Sequence, residues 1–153
     1  MSEYSPRRVC FLVLAHHQPR VFHKLIDTLS VEAVDIVVHI DKRTNMADFE
    51  RSESNVFFVK PRRRVHWAGW NQAKTILATM KFALSCSDAE YFVFLAGTDF
   101  PIVHPRKFLG HLSSEYPTNF LNHYPVVCGI WGYGLCAQFH FVDSSSDWAL
   151  DDI

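Results

Sequence analysis

The chain has 153 residues, of which 48% are apolar and 20% are charged, and its formal net charge is −1 with nine histidines counted as neutral. This length supports one domain with a sizeable core and is too short for two ordinary domains. The composition excludes a disordered protein. The small net charge gives no electrostatic reason to expect a nucleic-acid partner.

We expect no signal peptide at the beginning of this sequence. The first eight residues, "MSEYSPRR", are polar and charged, and the apolar run behind them, "VCFLVLA", is far shorter than the ~20 residues of a membrane-spanning helix. We therefore expect a soluble chain, or a lumenal piece of an anchored protein. A eukaryotic fragment would belong to the Golgi lumen, and a bacterial protein to the cytoplasm.

The four cysteines form no C-x-x-C pair, which argues against a zinc knuckle or a thioredoxin motif. Cys10 lies in an apolar run and is predicted to be a small core residue. A disulfide between Cys128 and Cys136 stays open, because the sequence does not identify the redox compartment.

The first forty residues have the pattern of a strand, a helix and a second strand. Val9–Ala15 is a continuous apolar and β-branched run, typical of a strand that is buried on both faces. Pro19 suits the first turn of a helix. The apolar face of that helix is predicted to comprise Phe22, Leu25, Ile26 and Leu29. Val34–Ile40 predicts a second buried strand, parallel to the first and joined to it by a right-handed crossover.

The remaining elements follow a polar loop at residues 42–54. "NVFFV" at 55–59 predicts a third strand, and a helix is expected from about Asn71 to Ser85. Its buried face is predicted to comprise Ala73, Ile76, Leu77, Met80 and Leu84. Tyr91–Ala96 predicts a fourth strand, Pro105 a short helix through Leu112, and "TNFLNHY" at 118–124 a possible further strand.

This order of elements predicts an α/β fold in residues 1–124, Rossmann-like, with a mostly parallel sheet flanked by helices. Residues 125–153 form a poorly defined C-terminal segment. Ligands of such sheets bind beyond the carboxyl ends of the strands. That rule gathers His16 and His17, Asp41, the loop at 60–70, and residues 97–101 at one edge.

Asp41 follows the first strand at close to the ~20 residues that separate a first-turn glycine motif from a ribose-binding acid. The first turn, "AHHQPR", lacks G-x-G-x-x-G, however, and the chain contains no G-x-x-x-x-G-K-[ST]. A dinucleotide site and a P-loop are therefore disfavoured. Two interpretations of Asp41 stay open: its carboxylate accepts hydrogen bonds from a nucleoside, or it caps a turn.

The loop "KPRRRVHWAGW" combines cations with tryptophans. Arg62 and Arg64 are candidates to lie near phosphates, and Trp67 is a candidate to stack on a base. The alternative is a solvated basic loop that its tryptophans anchor to the core. The pattern favours this alternative for the arginines and leaves both interpretations open for Trp67. A nucleic-acid interface would require a steep salt dependence of binding, and we expect no such partner.

Two further polar sites could suggest a metal. His16 and His17 are adjacent and point in different directions, which favours structural hydrogen bonds over ligation of one ion. Asp99 ends the apolar run "YFVFLAGTD" with no acidic partner two positions away. Because a hard cation needs several oxygen ligands, we expect Asp99 to act locally, by accepting hydrogen bonds from backbone amides.

Four segments, "FLVLAHHQPRVFHKLIDTL", "VVHIDKR", "NVFFV…RRRVHWAGWNQAKTILATMKFAL" and "YFVFLAGTDFPI", together resemble the core-2/I-branching N-acetylglucosaminyltransferase family. That family also contains the peptide O-xylosyltransferases. The resemblance covers about residues 8–122, and its specificity lies in the order and intervals of the segments. The sequence departs from the family at Ala68, where many members have glycine, and at Asn71, where serine is usual.

The resemblance implies a GT-A-type fold that binds a UDP-sugar and transfers N-acetylglucosamine, or xylose, to a hydroxyl of a glycan or protein with inversion. Carried over by motif, the turn at Leu14 and Ala15 would bind the uridine together with Asp41. Trp67 would lie beside the nucleotide, and Gly97 and Asp99 beneath the sugar nucleotide. The absence of an acid–x–acid motif favours metal-independent action over dependence on Mn²⁺ or Mg²⁺.

An inverting transfer also needs a general base and positive charge for the leaving UDP. The resemblance places both in a second half that these 153 residues do not contain, so the catalytic residues stay unassigned. The alternative is a truncated, noncatalytic module that binds a nucleotide-sugar or a glycan. The sequence gives neither the acceptor nor the linkage.

Overall fold

A computed structural model describes residues 8–66 and 69–120. The helices and strands within these residues are β1 (Val9–Ala15), α1 (Pro19–Leu29), β2 (Val34–Ile40), a short 3₁₀ helix (Met46–Phe49), β3 (Val56–Phe58), α2 (Trp70–Cys86), β4 (Tyr91–Ala96) and α3 (Pro105–Ser114). The C-terminal segment at 125–153, with Cys128 and Cys136, lies outside the described residues. Residues 118–120 of the possible further strand are not in a strand, and its remainder also lies outside.

The four described strands form one parallel sheet in the order β3-β2-β1-β4. Val9 pairs with Val34 on one side and with Tyr91 on the other, so the three strands start level. They also end level, where Leu14 pairs with Ala96 and Ala15 with Ile40. The predicted Rossmann-like α/β fold, consistent with a GT-A-type domain, is therefore confirmed.

The side of the sheet that α1 and α3 cover contains the larger part of the core. The predicted apolar face of α1 is confirmed, since its four residues are all buried: Phe22, Leu25, Ile26 and Leu29. Leu109 and Leu112 of α3 pack into the same cluster. Each fully buried side chain of this kind contributes about 1.5–3 kcal/mol. These helices fix the strand ends at which a ligand could bind.

The opposite side of the sheet is covered by α2, and here the predicted helix face is wrong. The buried residues are Thr75, Thr79 and Ala83, whereas Leu84 is 67% exposed and Leu77 is 50% exposed. Met80, from the same predicted face, is also exposed. The hydroxyls of Thr75 and Thr79 donate to the carbonyl oxygens four residues before them, at 2.7 and 2.8 Å. Because these bonds satisfy the hydroxyls, threonine can be buried at little cost.

Within residues 8–66 and 69–120, every helix is too short or too polar to span a lipid bilayer.

Candidate functional site

The carboxyl ends of β1, β2 and β4 meet through short backbone hydrogen bonds. The amide of Asp41 donates to the carbonyl of Ala15 at 3.0 Å, and the amide of Gly97 donates to the carbonyl of Leu14 at 2.7 Å. Four residues that the sequence proposed for one site, from three separate segments, therefore lie together at one sheet edge.

Gly97 makes the closest approach at this edge. A β carbon built on Gly97 would lie 2.5 Å from that of Ala15 and 3.3 Å from the carbonyl oxygen of Leu14. Real β carbons do not approach another carbon so closely, so glycine is required here by space. Because residue 97 has no side chain, the backbone stays accessible at the point where β1 and β4 end.

The carboxylate of Asp41 is buried and its oxygens are fully occupied. Oδ1 accepts from the backbone N of Arg43 at 2.8 Å and from its Nε at 3.1 Å. Oδ2 accepts from Arg43 Nη2 and from the amide of Val65, both at 2.9 Å. A carboxylate offers about four acceptor positions. This pattern fits the turn-cap interpretation of Asp41, and a nucleoside would have to displace Arg43 to reach it.

The same contacts control the charge of Asp41. Burial raises the pKa of this carboxyl, but the hydrogen bonds from Arg43 and Val65 outweigh burial and lower the pKa to about 2. Asp41 is therefore an anion at neutral pH, and the guanidinium of Arg43 lies against it. Half of the Arg43 side chain remains exposed at the sheet edge.

The basic loop is attached to the end of β2 by its backbone and by Arg62. Arg62 Nη1 donates to the carbonyls of Asp41 and Thr44, at 3.2 and 2.9 Å. The amide of Lys42 donates to the carbonyl of Arg63 at 3.0 Å. Arg62 is therefore a loop anchor rather than a solvated cation, whereas Arg64 is exposed. The favoured interpretation of a solvated side chain is wrong for Arg62.

The sequence did not identify His39 as a functional residue. This histidine is 1% exposed, and its Nε2 accepts a hydrogen bond from the amide of Arg63 at 2.9 Å. Burial is the main reason that the pKa of His39 falls to about 4. The available signal was a polar residue inside the buried run "VDIVVHI", since a buried imidazole must find a partner.

The turn after β1 is tied to the turn after β2. Thr44 Oγ1 donates to the carbonyl of His16 at 2.9 Å. His16 and His17 are exposed, with ring centroids 4.1 Å apart. The small buried part of the ring and the neighbouring His17 lower the pKa of His16. In the described part of the chain, histidine, cysteine and acidic side chains form no group of three or more that could hold a metal ion.

Asp99 closes the turn after β4. Its Oδ2 accepts from the amide of Ala96 at 2.7 Å, while its own amide donates to the Ala96 carbonyl at 3.0 Å. The predicted hydrogen bonding of Asp99 to a backbone amide is confirmed. Trp67 and Ala68 lie outside the described residues, so the proposed place of Trp67 beside a nucleotide stays a prediction.

Comparison with known proteins identifies two similarities. The family model of the core-2/I-branching enzyme matches residues 9–126. This range includes β1 through α3 and all of the candidate site residues. A xylosyltransferase of Ciona intestinalis is 24% identical over 126 residues, which cover 78% of this chain and 15% of the relative. The chain thus spans a small part of that relative's length.

Proposed function

Because the chain belongs to the core-2/I-branching enzyme family of glycosyltransferases, we propose that it binds a UDP-sugar at the carboxyl edge of its parallel sheet. The bound donor serves the transfer of N-acetylglucosamine, or xylose, to a hydroxyl of a glycan or glycoprotein with inversion. The observation that carries the proposal is the convergence of Leu14, Ala15, Asp41 and Gly97 at that edge, through hydrogen bonds of 2.7 and 3.0 Å.

In this proposal the nucleoside lies against the strand ends. The turn at Leu14 and Ala15 and the segment that begins at Asp41 contact the uridine, and Trp67 lies beside it. Gly97 and Asp99 form the floor beneath the sugar nucleotide. This assignment is supported by the close packing of Gly97 on Ala15, which leaves no room for a side chain at position 97.

The charge of the edge suits a diphosphate. Arg43 pairs with the buried carboxylate of Asp41. The basic loop adds Arg62, Arg63 and Arg64 in a segment whose backbone and side chains are fastened to the end of β2. Arginine binds phosphate oxygens through planar, paired donors. Arg62 already donates to two carbonyls, so the exposed Arg64 and the half-exposed Arg43 are the better candidates to meet the phosphates.

Transfer to an acceptor also requires a base that takes the hydroxyl proton. We propose that this base is not among the donor-site residues assigned here, because Asp41 is fully hydrogen-bonded and Asp99 closes its own turn. A noncatalytic nucleotide-sugar-binding module is the second candidate function. It is favoured by the hydrogen bonds that occupy the two carboxylates of the candidate site.

Titration calorimetry with UDP tests the donor site, and turnover of UDP-N-acetylglucosamine and UDP-xylose distinguishes the two candidates. Binding with turnover supports the transferase, and binding without turnover supports the noncatalytic module. The same measurements with EDTA test metal independence, for which we expect unchanged affinity. Failure to bind UDP, with CDP and ADP as comparison ligands, would remove both candidates.

A further inference from the structure

His39 occupies an unusual place for a core residue. It lies near the end of β2, two residues before Asp41, and it is 1% exposed. Side chains two residues apart in a strand point to the same face of the sheet. Val37 packs with Ala83 of α2, so His39 projects to the side of the sheet that α2 covers. Both His39 and Asp41 accept hydrogen bonds from the basic loop.

The hydrogen bond of His39 defines the state of its ring. The amide of Arg63 is a donor, so Nε2 of His39 must accept at the observed 2.9 Å and carry no proton. The proton of the neutral ring is then on Nδ1. A protonated imidazole has two donors and no acceptor, so it could not hold this amide. The neutral form, which burial favours, is the form that this contact requires.

Three residues of the segment 62–65 are each fastened at a different point. Arg62 donates through its side chain to two carbonyls, Arg63 through its amide to His39, and Val65 through its amide to Asp41. Arg64, between them, is exposed. His39, like Asp41, is a buried point of attachment, and it holds the residue directly before the exposed cation.

We propose that His39 is a positioning residue of the donor site, which holds the backbone of Arg63 and thereby sets where residues 62–65 lie against the end of β2. This inference rests on the proposed function, because the segment matters for ligand binding only if the edge binds a UDP-sugar. His39 itself does not touch the ligand. It acts through the loop that presents Arg64 to the phosphates.

Three variants test the proposal. His39→Gln keeps a side-chain acceptor that can reach the Arg63 amide, whereas His39→Leu fills the space without an acceptor. His111→Leu, at an exposed position of α3 far along the chain, is the matched control for loss of an imidazole. Each variant is measured in the full chain, first by limited trypsin cleavage and then by calorimetry with UDP.

The rate of trypsin cleavage after Arg62, Arg63 and Arg64 measures how firmly the loop is held, and this measurement needs no ligand. In His39→Leu we expect cleavage there to accelerate by about tenfold or more, with cleavage after Lys24 in α1 unchanged. His39→Gln and the control should stay within about threefold of the parent chain. Equal acceleration at Lys24 would show that His39 only stabilises the core, and no acceleration would show that it does not hold the loop. Either result overturns the proposal.

UDP affinity then separates this inference from the proposed function. We expect His39→Leu to bind UDP about tenfold more weakly, a loss of about 1.4 kcal/mol, and His39→Gln to recover most of that affinity. A released loop with unchanged UDP affinity would overturn the positioning role and leave the donor site intact. A parent chain that binds no UDP would refute the donor site and, with it, a role of His39 there, whatever the trypsin result.

Discussion

Gly97 lies so close to Ala15 that a β carbon on Gly97 would be 2.5 Å from the β carbon of Ala15. Gly97→Ala should therefore push the ends of β1 and β4 apart and destabilise the protein by about 1–3 kcal/mol. UDP affinity should fall with it. Urea unfolding measures the first effect and calorimetry the second. A variant as stable as the parent would show that this contact relaxes freely.

Gly110→Ala is the matched control for that substitution. Gly110 lies inside α3, and a β carbon there would meet no atom within 4 Å. Because alanine favours a helix over glycine, this variant should be more stable than the parent by about 0.5–1 kcal/mol. A loss of stability in Gly97→Ala and a gain in Gly110→Ala would confirm that lack of space, and not the loss of glycine itself, destabilises the Gly97 variant.

Asp41→Asn should weaken UDP binding by about tenfold and lower stability by about 1–3 kcal/mol. The substitution removes the charge that pairs with Arg43 and turns one of the two acceptor oxygens into an NH2 donor, so at most two of the four hydrogen bonds to Asp41 remain. Glu32→Gln, at an exposed position in the turn before β2, controls for the loss of one negative charge. Unchanged UDP affinity in Asp41→Asn would show that Asp41 serves only its turn.

The free energy of unfolding should decrease as the pH is lowered, in two separate pH ranges. His39 is neutral when folded, with a pKa of about 4, whereas an unfolded histidine titrates near 6.5. The unfolded chain therefore binds the extra proton first, and stability falls between about pH 6.5 and 4, by up to about 3 kcal/mol. Burial is the main cause, with Arg62 and Arg63 adding to it and Asp41 opposing it.

The second window belongs to Asp41, whose pKa falls from 3.8 to about 2 on folding. Its stabilisation is present above pH 3.8 and is lost as the pH falls towards 2. Urea midpoints measured across both windows test this assignment. His39→Gln should flatten the upper window and leave the lower one, and Asp41→Asn should do the reverse. An upper window that persists in His39→Gln would assign it to another histidine.

The two faces of α2 should respond oppositely to changes of size. Ala83 is completely buried, so Ala83→Leu should overpack the core and cost about 1–3 kcal/mol or more. Leu84 is mostly exposed, so Leu84→Ala should change stability by no more than about 0.5 kcal/mol. Thermal or urea unfolding of the two variants decides between this face and the one that the apolar pattern predicted.

The strands and α1 could be predicted because their patterns have one interpretation. Val9–Ala15 is apolar throughout, Val34–Ile40 is apolar except at Asp35 and His39, and the observed bounds are the same. The apolar pattern of α2 predicted the wrong buried face, because a stripe of leucine and methionine usually marks the face that is buried. Here small residues allow the helix to lie close to the sheet, and threonine satisfies its hydroxyl within its own helix.

The site was predictable to the level of the sheet edge and no further. The rule that parallel strands end together brought His16, Asp41 and Gly97 to one edge. Leu14 was added only by the family resemblance. The hydrogen-bond partners of each side chain depend on how the basic loop folds back onto the end of β2. Its sequence has no periodic pattern from which that conformation could be predicted. The pairing of Asp41 with Arg43 and the capture of the Arg63 amide by His39 therefore emerged only from the structure.

The central place of β1 has a consequence for the order of folding. β1 pairs with β2, which follows it closely along the chain, and with β4, which comes much later. Closing the longer loop costs about 1 kcal/mol more in chain entropy, and β4 leaves the ribosome last of the three strands. We therefore expect one edge of β1 to remain open during synthesis, and the contact between Leu14 and Gly97 to form only when β4 docks. The pairing of β1 with β2 would then precede the completion of the strand ends that we propose bind a ligand.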